Sequence, residues 1–228
     1  MNWQSLLEFA RGPLFYASLL VFIAGMVYRL VYVIGLGWKK DRVPDKGSKA
    51  SGVLRSFLKA ILIWPFIPWV KNTFNRNPLI YIGGGLFHLS LFTVIVLGTP
   101  HMLAWKSLLG FGWPTLPLPI VDWMAVAGIA AMLLLLFNRR FNPVLKLISG
   151  PAEYLAWLIV FVPMVTGYMM THHLWFRYEV LFSMHMLAVD FLLIWIPLSR
   201  ISHFMFYFFS RAIHGQEFGK RGNRKSVV

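Results

Sequence analysis

Residues 180–209 read VLFSMHMLAVDFLLIWIPLSRISHFMFYFF. Across that run there is one carboxylate, Asp190, and one arginine, Arg200. A helix of about 20 apolar residues crosses a bilayer core, so this segment is long enough to span with residues to spare. It also carries His185 and His203, eighteen positions apart. At about 100° per residue, eighteen residues close five turns. On one continuous helix both rings leave the same face, about 27 Å apart along the axis.

Four more apolar runs fit the same rule, at 14–36, 79–99, 120–137 and 152–171. The whole chain agrees with a lipid solvent: 58% of its 228 residues are hydrophobic and 13% are charged, with a mean hydropathy of +0.64. A soluble domain averages about 25% charged, so a water-soluble globule is excluded. The expected fold is all-α, an integral membrane bundle of five transmembrane helices. The opening MNWQSLLEFARGP lacks a basic segment followed by a small-residue cleavage site, so the first span is expected to be a permanent anchor. With no cysteine, iron–sulfur clusters, thiolate zinc sites, disulfides and covalent c-type haem are excluded.

The net charge of +14 is a matter of topology rather than of nucleic acid. Eighteen Lys and Arg lie after spans one and three and at the end of span five and in the tail, from Lys39 to Arg76, at Arg139, Arg140 and Lys146, and from Arg200 to Lys225. The opposite side has Arg11, Lys106 and Arg177. The positive-inside rule then places the N-terminus outside and the C-terminus in the cytoplasm, in a multi-pass protein of the cytoplasmic (inner) membrane. Segment 53–70, with Arg55, Lys59, Pro65 and Pro68, is expected as an interfacial helix ending at the prolines. Residues 1–214 form the membrane domain. Residues 215–228 form a basic cytoplasmic tail, expected to be extended until a partner orders it.

Ionisable groups inside spans are costly and are functional candidates. His88 lies in span two and His101 just beyond its outer end. By depth, His88 pairs with His203 and His101 with His185. Such pairs suit the axial ligands of two stacked b-type haems. His88 and His101 are thirteen residues apart, which on a straight helix turns their rings to nearly opposite faces. Gly98-Thr99-Pro100 offers a break that would re-aim His101. Gly83-Gly84-Gly85 suits close approach by a haem face or another helix. Arg200, or alternatively Arg29, is placed to pair with haem propionates. Asp190 is either a buried hydrogen-bond partner or a proton-path residue. Glu153 is expected to serve the N-terminus of span four. His172, His173 and His214 read as solvated residues of loop and tail.

The stretches LFHLSLFTVIVLGTPH in span two and HMLAVDFLLIWIPLSRISHFMFYFFSRAIHGQEFGKRG at the end resemble the respiratory nitrate reductase gamma subunit family. The likeness is closest to its branch of membrane cytochrome b subunits from Hmc, Tmc and Dsr complexes and membrane-bound heterodisulfide reductase. Phe209-Ser210-Arg211, Gly215 and Phe218 look most like the Hmc and Tmc members. The resemblance implies a five-helix dihaem cytochrome b exchanging electrons with quinone or menaquinone. It implies His88 and His203 as inner-haem ligands and His185 as an outer-haem ligand. One departure is clear: the nitrate reductase pattern places its second span-two histidine at the position held here by Gly98, so His101 has to replace it.

The expected function is therefore a dihaem b membrane subunit of a respiratory redox complex, working between the quinone pool and a cytoplasmic iron–sulfur or heterodisulfide reductase-like partner. Other membrane subunits and a periplasmic multihaem cytochrome are further expected partners, besides membrane lipid. An outer quinone site would lie near His101, Lys106, Asp122 and the His172-His173 loop. The rival reading is a haem-free or mono-haem anchor subunit. The charge asymmetry predicts that a reporter fused after Val228 is active in the cytoplasm; activity on the periplasmic side would reverse the inner and outer labels.

Overall fold

A computed structural model describes residues 2–37, 44–63 and 73–222. Lys39, Lys40, Arg42, Lys71, the 64–70 part of the interfacial segment with Pro65 and Pro68, and tail residues 223–228 lie outside the described residues. The described residues form helices and connections, with no strand among them. Five helices are long and apolar enough to cross a membrane: Trp3–Gly35, Pro78–Leu97, Leu118–Phe141, Pro151–Thr171 and Tyr178–Leu198. Between 11% and 28% of each apolar window is covered by protein. Exposed side chains such as Leu20, Val31, Leu133 and Phe137 would be unfavourable in water and are ordinary against lipid.

The chain divides into two compact units, Met1–Leu19 with Asn77–Leu192, and Leu20–Arg76 with Leu193–Val228. In the first unit small residues set the packing of the second span on the third. A Cβ on Gly83 would lie 3.1 Å from Leu135. Ser90 donates to the Met124 carbonyl opposite. Trp157 of the fourth span donates Nε1–H to the Met132 carbonyl at 2.8 Å, which ties the third span to the fourth. Two helix starts are capped locally. Asn77 Oδ1 accepts from Ile80 N at 3.1 Å. Glu153 Oε2 accepts from Gly150 N at 2.8 Å, the role expected of it.

The end of the second span sets the path of the next helix. The span stops at Leu97, Gly98 is extended (φ −77°, ψ 131°), and a new helix, Thr99–Leu109, begins with Pro100 in its first turn. The last four carbonyls of a helix lack intrahelical donors, and in a membrane they need protein partners. Here they have them. Val94 O accepts from Gly98 N at 3.1 Å, Ile95 O from Trp105 Nε1 at 3.1 Å, Val96 O from Trp113 Nε1 at 2.7 Å, and Leu97 O from Leu116 N at 2.9 Å. The break expected at Gly98-Thr99-Pro100 is present.

Two expectations are corrected. The fifth span is not one helix through residue 209. It ends at Leu198, Ser199 is extended, Arg200–Ser202 form a 3₁₀ turn, and His203–Lys220 is a separate helix. Pro197 removes a donor and crowds the preceding turn, and Ser199 then caps Ile201 N at 3.2 Å. The same-face relation of His185 and His203, which assumed continuity, therefore does not hold. Gly25 accommodates the proline: a Cβ there would lie 2.6 Å from Pro197 Cβ.

The second correction concerns the tail. Gly215 to Lys220 are helical, not extended, and His214 belongs to this helix rather than to a solvated tail. The helix packs along Lys49–Leu58, the first part of the segment read as interfacial, which continues as a π-helical turn over Lys59–Ile63. Contact is backbone to backbone: a Cβ on Gly219 would lie 2.6 Å from Ser48 O and 2.8 Å from Gly52 Cα. Only glycine permits this approach. Gly219→Leu should destabilise this helix pair by about 1–3 kcal/mol, read as faster proteolysis within 44–63. Gly35→Leu, where a Cβ meets nothing within 4 Å, should leave the rate unchanged; equal effects would refute the packing.

Candidate functional site

The four candidate histidines share one feature of ring chemistry. His88 Nδ1 lies 2.6 Å from the Gly84 carbonyl. His203 Nδ1 lies 3.0 Å from the Arg200 carbonyl. His185 Nδ1 lies 3.0 Å from the Pro163 carbonyl, with Thr166 Oγ1 at 3.2 Å. His101 is held by the Val94 carbonyl. A carbonyl only accepts, so a ring nitrogen beside it carries the proton. For the three bonded through Nδ1, this tautomer makes Nε2 the lone-pair nitrogen. Metal-ligating histidines almost always donate their other ring N–H in this way, which fixes ring and tautomer.

The structure brings His101 and His185 together. Their ring centroids are 6.2 Å apart, with planes at 66°. An imidazole nitrogen binds a transition metal at about 2.0–2.1 Å and lies about 1.1 Å from its ring centre, so two rings in line across one ion need about 6.2–6.4 Å. The observed centroid separation is close to that length. The break at Gly98 makes this convergence possible, because it releases His101 from the rotation of the second span. A Cβ on Gly98 would lie 2.5 Å from the Val94 oxygen and 3.4 Å from Val121 Cγ1, so the close turn requires glycine. Burial pushes the His101 pKa down, opposed in part by the Val94 carbonyl. A neutral imidazole keeps the lone pair that a metal takes. His185 is 9% exposed and rests on Gly167, where a Cβ would lie 3.0 Å from its Cε1.

His88 belongs to the first unit and His203 to the second. His88 is exposed on the second span beside Gly84 and Gly85, where an added Cβ meets nothing within 4 Å. Open space over two glycines next to an imidazole is what a flat macrocycle needs. His203 is exposed at the start of the last helix. Arg29 Nη1 donates to Ser202 Oγ at 2.7 Å, which holds its guanidinium beside the residue preceding His203. Arg200 lies in the 3₁₀ turn that carries the carbonyl partner of His203.

Among the described residues no group of three or more His, Asp or Glu converges on a point where a bare ion could sit. Haem iron brings four nitrogens of its own and asks the protein for two axial ligands. One pair of histidines with carbonyl-held rings, His101 and His185, could supply two such ligands. The donor set contains no thiolate.

A second constellation pairs a histidine with a carboxylate. His172 Nε2 is 3.5 Å from Asp122 Oδ2, and both side chains are partly exposed. His172 follows the fourth span five residues beyond Gly167, and its ring lies 4.4 Å from Tyr168. Asp122 follows Val121, the residue that packs at Gly98. His172 is therefore partnered rather than simply solvated. His173 turns the loop in left-handed conformation (φ 50°), with its ring 5.6 Å from Tyr178. Asp122 and His172 are fifty residues apart; depth alone puts both at the outer end of the spans, and the structure adds their contact.

No family model matches the chain, and no solved structure matches it. A protein of Nitratidesulfovibrio vulgaris (strain Hildenborough), described simply as "Protein", is 27% identical over 216 residues, 94% of each chain. The two chains are thus similar over nearly their whole lengths.

Proposed function

We propose that the chain is the dihaem b membrane subunit of a respiratory redox complex, linking the quinone pool to a cytoplasmic iron–sulfur partner across the cytoplasmic membrane. The observation that carries the reading is the convergence of His101 and His185 at a separation that suits one ion between two imidazoles. Haem b, when bound, supplies reversible one-electron chemistry between Fe(III) and Fe(II) with both axial positions filled.

The chain's own residues do the rest. His101 and His185 would hold the outer group; the assignment of the inner one to His88 and His203 rests on the sequence alone. The carbonyls of Val94, Pro163, Gly84 and Arg200 orient these rings and raise their basicity as ligands. Arg29, beside Ser202, supplies positive charge for a propionate, with Arg200 as the neighbouring alternative.

Quinol oxidation releases two protons with its two electrons, so a proton acceptor at the quinol hydroxyl is required. With His172 Nε2 facing Asp122, the other ring nitrogen, Nδ1, is the one suited to take that proton, and Asp122 stabilises the imidazolium that results. A histidine held by a carboxylate is a common base arrangement. Eighteen basic residues on the other side suit an acidic soluble partner, because complementary charge speeds encounter.

The reading predicts two haems b per chain by pyridine haemochrome and none covalently attached. His101→Ala or His185→Ala should each lose one haem, and His88→Ala or His203→Ala the other. A haem-to-chain ratio near zero would leave a haem-free anchor instead. Asp122→Asn and His172→Ala should keep both haems and slow quinol-driven haem reduction by about tenfold or more; an unchanged rate would remove the pair from proton transfer.

A further inference from the structure

The proton inventory at Asp190 sets it apart from the histidine sites. Asp190 is 1% exposed and Ser18 is fully buried, both within the first unit. Ser18 Oγ lies 2.9 Å from the Phe15 carbonyl and 3.0 Å from Asp190 Oδ1. A serine hydroxyl has one proton to donate. Phe15 O and an ionised Asp190 Oδ1 would compete for that proton; the back-bonding arrangement common for serine in helices gives it to Phe15 O. The contact between Ser18 Oγ and Asp190 Oδ1 then needs a proton from the carboxyl.

The surroundings agree. Asp190 Oδ2 is buried with no hydrogen-bond partner, and an ionised carboxylate with one oxygen bare in an apolar interior is strongly disfavoured. Among the described residues no ion pair reaches Asp190. On the helix that brings Ser18, the charged groups of this unit are Glu8 and Arg11, about 15 and 10 Å away along the axis, and Tyr16, about 3 Å along it, is a phenol that is neutral at pH 7. On its own helix the titratable groups of this unit are Tyr178, Glu179 and His185, about 18, 16 and 8 Å away along the axis.

We infer that Asp190 is a proton-binding site inside the membrane, a neutral carboxylic acid at physiological pH that donates its Oδ1 proton to Ser18 Oγ. The ligand is the proton itself, held where the first span meets the fifth. The site gives the membrane interior a group that can release or take up a proton. It stands whether or not the histidines hold haem, so its failure and the failure of the haem reading are separable.

Infrared spectroscopy of the full chain in detergent at pH 7 tests it, with aspartate labelled by carbon-13 at the side-chain carboxyl. The native-minus-Asp190→Asn difference should contain an isotope-shifted carbonyl band of a protonated acid. The asparagine amide retains a donor toward Ser18, so this variant should fold. In Ser18→Ala the band should move to higher frequency as the acid loses its acceptor. Carboxylate stretching bands in place of the acid band would overturn the inference. An acid band that Ser18→Ala leaves unmoved would overturn the assignment of Ser18 as acceptor.

Discussion

Inside a bilayer no water completes a hydrogen bond, so a helix can stop there only if the protein answers the carbonyls it frees. The second span stops under that constraint. Trp105, Trp113 and the Leu116 amide take three of its last carbonyls, and Gly98 N shares the fourth with His101. Each of these donors comes from the chain after the break. The same bonds that make the break tolerable therefore fold the following helix back and aim His101 at His185. Structure and candidate chemistry depend on one set of carbonyls.

The histidines obey the same rule. A ring nitrogen that donates to a carbonyl is satisfied without water, and the ring's other nitrogen becomes the one that can bind a metal. This explains how imidazoles can be both tolerated in a membrane and ready to bind. Asp190 follows it too: a carboxyl with one hydroxyl neighbour is less costly to bury as a donor than as a charge. The second unit uses a different device. Glycines at 52, 215 and 219 bring two helix backbones into contact, which anchors the helix whose first residue is His203.

Much of this is legible in the sequence and some is not, for identifiable reasons. The five spans follow from runs of apolar residues, and the break after Leu97 follows from Gly98 and Pro100. The break after Leu198 is hidden because Pro197 sits in a run that remains apolar on both sides, where hydropathy carries no mark of a change in backbone direction. The helical end of the chain is hidden because its partner, Lys49–Leu58, lies more than 150 residues earlier. Gly215, Gly219 and Gly52 become meaningful only when seen together. The pairing of His101 with His185 follows from depth alone, whereas the meeting of Asp122 with His172 depends on the loop geometry after the fourth span.

Iron held between His101 and His185 is the centre of the proposed function. Near-infrared magnetic circular dichroism of the oxidised protein reports the axial ligands of low-spin haem directly. The account predicts bis-histidine transitions whose intensity falls by half in His101→Ala. The chain has 11 methionines, so histidine–methionine ligation is a real alternative. A histidine–methionine signal, or a bis-histidine signal of native intensity in His101→Ala, would contradict it.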